Sequence, residues 1–340
     1  MSTHFLRRSL TKSTRVNPIR QSLPFTQRGN ITTLNPHQRQ KHTKVVTPPQ
    51  ERSQSASTSA KTPSPFSPPP SSTSSVRTLR LLRTDNVARS ERGELVLFGK
   101  TIIGEYIRRG GAINQLYATL DCQLKDIIGV DHLAAIRANS IPPPQLISSA
   151  NLQRASGVVS TPDDACAAVI ALPPSNRPSS FSHSTLVLDN VADPGNVGSL
   201  LRSAAAFDFT TVIFIGGCDP FNEKVIRASM GTILQLRLWK ATEEEFMAVI
   251  KENRDHNSQL IVCDAHPTHS VSLESSSGPS ISRPLFLVIG NEAQGVRPSL
   301  LSSADTRLHI RMNSGVESLN AAVAGSILMQ QIHSKRGQQQ

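Results

Sequence analysis

Cysteine is scarce and scattered in this 340-residue chain: Cys122, Cys166, Cys218 and Cys263 form no CxxC and no His/Cys cluster. That spacing argues against a disulfide framework and a cysteine-held zinc site, and it fits a reducing compartment. The set Asp264-x-His266-x-x-His269 sits beside Pro267 in a polar loop, a poor setting for metal ligands, so no metal is expected. No apolar run approaches the ~20 residues that would span a bilayer, so no membrane role is expected. No G-x-G-x-x-G follows a strand either. Gly216-Gly217 after TVIFI therefore gives little support to a nucleotide-dependent oxidoreductase.

Acidic residues are nearly missing from one region. Residues 1–75 hold only Glu51 among many Ser, Thr, Pro, Arg and Gln. The net charge of +11 is correspondingly uneven, with 15 basic and 2 acidic residues in 1–90 against 21 and 23 in the remainder. The pI near 10.0 thus belongs to the N-terminal quarter and says little about the folded part. The opening MSTHFLRRSLTKSTRVNPIR spaces Phe5, Leu6 and Leu10 among Arg7, Arg8, Lys12 and Arg15. Arg-rich, hydroxyl-rich and acid-poor is the composition of an organelle transit peptide, for the mitochondrion ahead of the chloroplast; a basic RNA-binding tail is the alternative. The following KTPSPFSPPPSSTSS has too little apolar surface to fold and reads as linker. Residues 1–75 are expected to be a disordered transit peptide and linker.

Order is expected from near residue 90. ELVLFGKTIIGEYIRRGGAINQLYATL gives a strand, then a helix with Ile102, Ile103, Tyr106 and Ile107 on one side. A Gly110-Gly111 stop and a strand at 115–118 follow. With Val158-Val159 and Ala168–Leu172 closing it, this is a small α/β domain within 76–172. Arg108 and Arg109 beside the glycines read as a solvated helix end. LPPSNRPSSFSH links it, through 173–183, to a second domain at 184–336.

That domain has near-continuous aliphatic strands at 185–189, 211–215, 235–239, 259–264, 284–290 and 308–312. Helices fall near 197–207, 222–230, 242–254 and 296–303. Such a pattern predicts a parallel sheet with helices on both faces, and ligands then bind at the carboxyl ends of the strands. Three strand-end loops carry unusual content. Asn190–Phe207 has an Asp193-Pro194-Gly195 turn, Asn196 as helix cap, Gly198 for close backbone approach, and Arg202 on the helix. Asn291–Gly295 follows Gly290 and holds Glu292. Asn313-Ser314-Gly315 leads past Ser318, Leu319 and Asn320 into a helix lined by Ala321, Ala322, Ala324, Gly325 and Ser326. Asn196, Arg202, Glu292, Ser318 and Asn320 are expected at one rim of one sheet, the usual form of an active site in this architecture.

DPGNVGSLLRSA, VIGNEAQGV and IRMNSGVESLNAAVAG resemble, in order, the three motifs of the SpoU/TrmH family of S-adenosylmethionine-dependent RNA ribose 2′-O-methyltransferases. The likeness covers about 185–332, and residues from Glu94 resemble the substrate-binding domain that many members carry. The resemblance implies a SPOUT-type fold with a C-terminal trefoil knot, a homodimer with its site near the subunit interface, and RNA, either rRNA or tRNA, as substrate. It implies adenosyl contacts at Gly290, Ile310 and Leu319, with Met312 beside them. It ties Arg202 to catalysis, with Asn196, Glu292, Ser318 and Asn320 as polar site residues. The family usually has Pro where Arg311 stands. The alternative is a catalytically inactive RNA-binding or ribosome-assembly factor on the same scaffold.

Overall fold

A computed structural model of the chain describes residues 72–128, 142–157, 165–254, 258–264, 270–272, 281, 284–313, 315–316 and 318–337. Helices begin earlier than the sequence suggests, with α1 at Ser72–Thr84 and α2 at Asn86–Arg92. The expectation that order starts near 90 therefore needs correcting. Although α1 follows a Ser/Pro-rich stretch, it buries Leu79 and Leu82, with Val76 packed beside them. Asp85 caps α2 through bonds from the Val87 and Ala88 amides, and Gly93 ends it at φ 63°.

There follow β1 (Glu94–Phe98), α3 (Lys100–Arg108), β2 (Gln115–Ala118), α4 (Leu124–Ile128), β3 (Gln145–Leu146), α5 (Ser149–Ser156) and β4 (Cys166–Ala171). The strands form a mixed sheet in the order β1-β4-β2-β3. Its outer face is covered by α1 and α5, with Leu79, Leu82 and Leu152 packing on Val96, Phe98 and Val169. The Arg108 and Arg109 side chains both fold onto Glu105, at 2.8 and 2.6 Å, as expected of a solvated helix end. Val158 and Val159 lie outside the described residues.

The second sheet is wholly parallel. Its elements are β5 (Ser184–Asp189), α6 (Pro194–Ala206), β6 (Phe209–Ile215), α7 (Glu223–Ala228), β7 (Arg237–Lys240), α8 (Glu243–Arg254), β8 (Gln259–Cys263), β9 (Leu285–Gly290), α9 (Pro298–Ser303), β10 (Thr306–Leu308) and α10 (Ala321–Gly337). Strand order is β10-β8-β9-β5-β6-β7. Both faces are covered, because alternate residues of one strand serve opposite cores. Leu186 and Leu188 pack with Leu200 and Leu201 of α6 and Leu328 and Ile332 of α10. Val187 packs with Phe246 and Val249 of α8 and Leu300 of α9.

Two strands sit elsewhere than expected. The strand expected at 235–239 begins at Arg237, because Thr232–Gln235 form a tight single turn. The strand expected at 308–312 is Thr306–Leu308. Its partner β8 ends at Cys263, opposite Leu308, and among the described residues no strand pairs with Ile310 or Met312. The alternation of Leu308, Ile310 and Met312 reads as strand, but the last two lie in a loop. His266 and His269 fall outside the described residues, and Asp264 lies 4.0 Å from Arg307.

Candidate active site

Strand β5 ends at Asp189, and the chain turns sharply through Asn190 at φ 55°. Helix α6 is capped by Asp193, whose Oδ1 accepts from the Asn196 amide at 2.8 Å, and Pro194 occupies the first turn, where a missing N–H costs nothing. The expectation that Asn196 is the cap is thus corrected by three residues. One turn inside the helix, its side chain is free to point outward. Gly198 sets the crossing with α7, since an added Cβ would fall 2.4 Å from the Ala228 Cβ.

The second loop is held by Asn291. Its backbone pairs with Gly295 in both directions, and its Oδ1 accepts from the Ala293 and Gln294 amides. Its Nδ2 donates to the Asn190 carbonyl at 2.9 Å, which ties this loop to the first one. Gly290 lies directly under the turn. A Cβ there would sit 2.4 to 2.5 Å from backbone atoms of Gly295 and Val296. Arg297, just beyond, donates from its amide and Nε to buried Asp189 at 2.8 and 2.7 Å, and from Nη1 to Glu243 at 2.6 Å.

The third loop ends at Asn320, which caps α10 by accepting from the Ala322 and Val323 amides. Helix α10 then lies against α6 and β9, where Gly325 leaves room for Leu200 and Ile289, and Ser326 meets Ser203 at 2.7 Å.

These loops converge in one hydrogen-bonded chain. Asn320 Nδ2 donates to Asn196 Oδ1 at 2.9 Å, and Asn196 Nδ2 donates to Glu292 Oε1 at 2.6 Å. The α10 N-terminus, two amides and a carboxylate therefore form a continuous relay, and each donor polarises the next. Glu292 is exposed and, among the described residues, held at one oxygen, and a carboxylate has further acceptor capacity for a substrate hydroxyl. Ser318 is exposed two residues before the cap, and Arg202 is exposed on α6, outside the relay. A trough of about 650 Å³ runs along α6 and α10, lined by Asn196, Ser199, Asn320, Val323 and Ile327 among others.

The residues expected to hold an adenosyl group suit one. Ile310, Met312 and Leu319 are half-buried in irregular chain and offer apolar surface. Among the described residues, no backbone hydrogen bond involves Ile310, Arg311, Met312 or Leu319. Half-buried apolar side chains of this kind fit the apolar slot that a purine needs. Arg311 is exposed.

Asn291, Asp189 and Arg297 shape the site, yet residue patterns did not single them out. The one available signal is an Asp closing an otherwise aliphatic strand, since a carboxylate buried at that position needs a partner.

Residues 183–330 match the model of the SpoU rRNA Methylase family. An uncharacterized tRNA/rRNA methyltransferase of Synechocystis is 27% identical over 75% of this chain and 88% of its own length. The Bacillus subtilis 23S rRNA (guanosine(2553)-2′-O)-methyltransferase is 28% identical over 42% of this chain and 55% of its own. A mitochondrial rRNA methyltransferase 3A of Danio rerio is 25% identical over 74% and 67%. In fold, the chain is similar to the AdoMet-bound SpoU methyltransferase AviRb of Streptomyces viridochromogenes, with a TM-score of 0.64 at 20% identity, covering 77% of this chain and 97% of that one.

Proposed function

We propose, for a chain whose residues 183–330 match the SpoU rRNA Methylase family, that it methylates the ribose 2′-OH of a structured RNA, rRNA ahead of tRNA. The observation that carries this reading is the relay Asn320–Asn196–Glu292, which takes one side chain from each of the three motif loops. A scaffold that only bound RNA would have no need of it.

S-adenosylmethionine supplies an electrophilic methyl group when bound. Gly290, Ile310, Met312 and Leu319 hold its adenosyl part, and the rest of the work is to bring the 2′-oxygen in line with it. Glu292, fixed by Asn196, accepts a hydrogen bond from the 2′-OH and orients the oxygen lone pair, or takes the proton as it leaves. Arg202 stays protonated, so its part is to hold a phosphate or the developing negative charge rather than to act as base. Ser318, at the mouth of the third loop, adds a hydroxyl for the ribose. The 2′-OH itself selects RNA over DNA.

The trefoil knot and the homodimer belong to the same proposal. Supporting them are the close packing of α10 on α6 at Gly325 and the exposed Val323 on the solvent side of α10. Because Arg202 stands outside its own relay, pairing through this face gives it a place near the partner's site. The four-stranded sheet with its helices from Ser72 serves as the RNA substrate-binding domain. Import into the mitochondrion, with the chloroplast as alternative, is supported by the composition of 1–75 and by the named location of the Danio rerio relative.

Labelled-methyl transfer to organellar RNA tests the reading, with Arg202→Ala as the companion variant. Transfer is expected from the wild type and a loss on the order of 10²-fold from the variant. Near-normal turnover in Arg202→Ala would remove it from the mechanism.

A further inference from the structure

One ionic contact reaches from the N-terminal helices into the strand-end loops of the parallel sheet. Arg89 of α2 is 3% exposed. Its Nη1 donates to the carbonyls of Leu82 and Arg83, at 2.8 and 3.2 Å, at the end of α1. Its Nη2 donates to Asp219 Oδ2 in the loop after β6. The other carboxylate oxygen of Asp219 accepts from the Phe221 amide at 3.3 Å and from Lys240 Nζ at 3.1 Å. A guanidinium this deeply buried is costly unless every donor is matched, and here the matches come from two separate parts of the fold.

The loop that Asp219 holds lies directly on the start of the first motif loop. Gly217, at φ 76°, is so close that a Cβ would fall 2.5 Å from the Val191 carbonyl oxygen and 3.0 Å from the Asn190 carbonyl carbon. The Cys218 amide donates to that Val191 oxygen at 3.0 Å, and the Asn190 amide donates to Ile215 at 3.0 Å. Two residues further on, Asp193 caps the helix that carries Asn196. The same loop also runs into α7, whose Ala228 meets Gly198 on α6. Asn190 in turn accepts from Asn291 of the second motif loop. Both routes from Asp219 therefore end within two or three residues of Asn196.

We propose that Arg89 is a positioning residue for methyl transfer: through Asp219 it fixes the 216–219 loop, and through that loop the Asn190–Asn196 segment and the relay to Glu292. This rests on the methyltransferase reading of the relay. Arg89 touches no substrate. It couples the docking of α1 and α2 to the geometry of the site, so that the relay is set when those helices are seated. The Asp219 carboxylate is the joint between the two.

The test uses the full chain with four variants: Arg89→Ala, Arg89→Lys, Asp219→Asn and, as control, Lys240→Ala. Loss of the joint is expected to lower kcat roughly tenfold, since displacement at a distance acts through the alignment of reacting groups. The dissociation constant for S-adenosylmethionine should stay within about twofold, because its expected contacts lie on other loops. Arg89→Lys is expected to recover part of kcat, and Lys240→Ala, which loses only an exposed contact, to remain within about twofold of wild type. Arg89→Ala and Asp219→Asn should be non-additive when combined. Peptides covering 190–197 and 216–222 should exchange amide hydrogen faster in Arg89→Ala and Asp219→Asn.

Variants that stay folded with unchanged kcat would overturn the proposal. So would a change confined to KM for RNA, which would make Arg89 part of RNA capture. If the wild type itself transfers no methyl group, the enzymatic reading fails, and exchange decides the joint on its own: unchanged protection of 190–197 would refute it. Should Arg89→Ala fail to fold, Asp219→Asn and Arg89→Lys carry the same comparison.

Discussion

Asn196 does two jobs with one amide: it donates to Glu292 at 2.6 Å and accepts from Asn320 at 2.9 Å. Its amide presents donor and acceptor in one rigid plane, which an ionised carboxylate cannot do, so Asn196→Asp is expected to fail as badly as Asn196→Ala, by setting a second carboxylate against Glu292. Both should lower methyl transfer on the order of 10²-fold while costing only about 1 kcal/mol of stability, since the contacts are near the surface. Rate and melting temperature measured together check this, and a parallel fall in both would assign Asn196 a structural role. At Gly290 the order is reversed. A Cβ would press on the backbone of Gly295 and Val296, and backbone cannot swing aside as a side chain can. Gly290→Ala is expected to cost about 1–3 kcal/mol and to abolish binding of S-adenosylmethionine, read by denaturant unfolding and calorimetry. Thiol chemistry gives a check independent of function. Burial, then the neighbouring Asp264, pushes Cys263 up to about 11, so it stays protonated and unreactive at neutral pH. The Cys122 thiol lies below its usual range, first through its contact with Cys166 and then through Lys100. Alkylation near pH 8 should therefore label Cys122 well before Cys263, with Cys263 gaining only as pH approaches 11. Peptide mass spectrometry reads the order.

At the scale of elements, the aliphatic runs were legible because a strand buried on both faces has no alternation to hide. The runs at 185–189, 211–215, 259–264 and 284–290 all fall on observed strands. Asn196, Glu292 and Asn320 were legible together because each follows the carboxyl end of an aliphatic strand, although each alone is an ordinary residue, and the resemblance to a family then added roles to them. What stayed hidden was whatever depends on a distant partner. Ile310 and Met312 alternate like a strand, but β8 ends too early to receive them. Asp189 and Arg297 are 108 residues apart, as are no residues in any local pattern, and their bond locks the end of β5 to the start of α9. Arg297→Ala would leave Asp189 buried without its cation, at a cost of about 3 kcal/mol. Ser299, then Arg297, holds the Glu243 carboxyl below the usual carboxylate range. A lowered folded value stabilises above the unfolded pKa, and that advantage is lost as pH falls through the folded one. Thermal unfolding of Glu243→Gln should therefore lie below wild type at neutral pH and converge with it in acid.

For the whole molecule, the boundary of the folded part matters most. Because α1 starts at Ser72 and buries Leu79 and Leu82, removal of residues 1–70 should preserve fold and cofactor binding while abolishing organelle import. Removal through Arg92 should uncover the face of the small sheet and lose Arg89 as well. A protein lacking 1–70 that still enters the organelle would contradict the targeting role. Above all stands the transfer of a methyl group to a ribose. The most direct measurement titrates S-adenosylmethionine into the full chain, then supplies labelled cofactor and organellar RNA and digests the product in alkali. A 2′-O-methyl group removes the hydroxyl that attacks the adjacent phosphate, so label in alkali-stable dinucleotides is the expected result. Label in mononucleotides would place the methyl on a base and contradict the proposed chemistry. No binding of the cofactor at all would leave an RNA-binding scaffold without an enzyme.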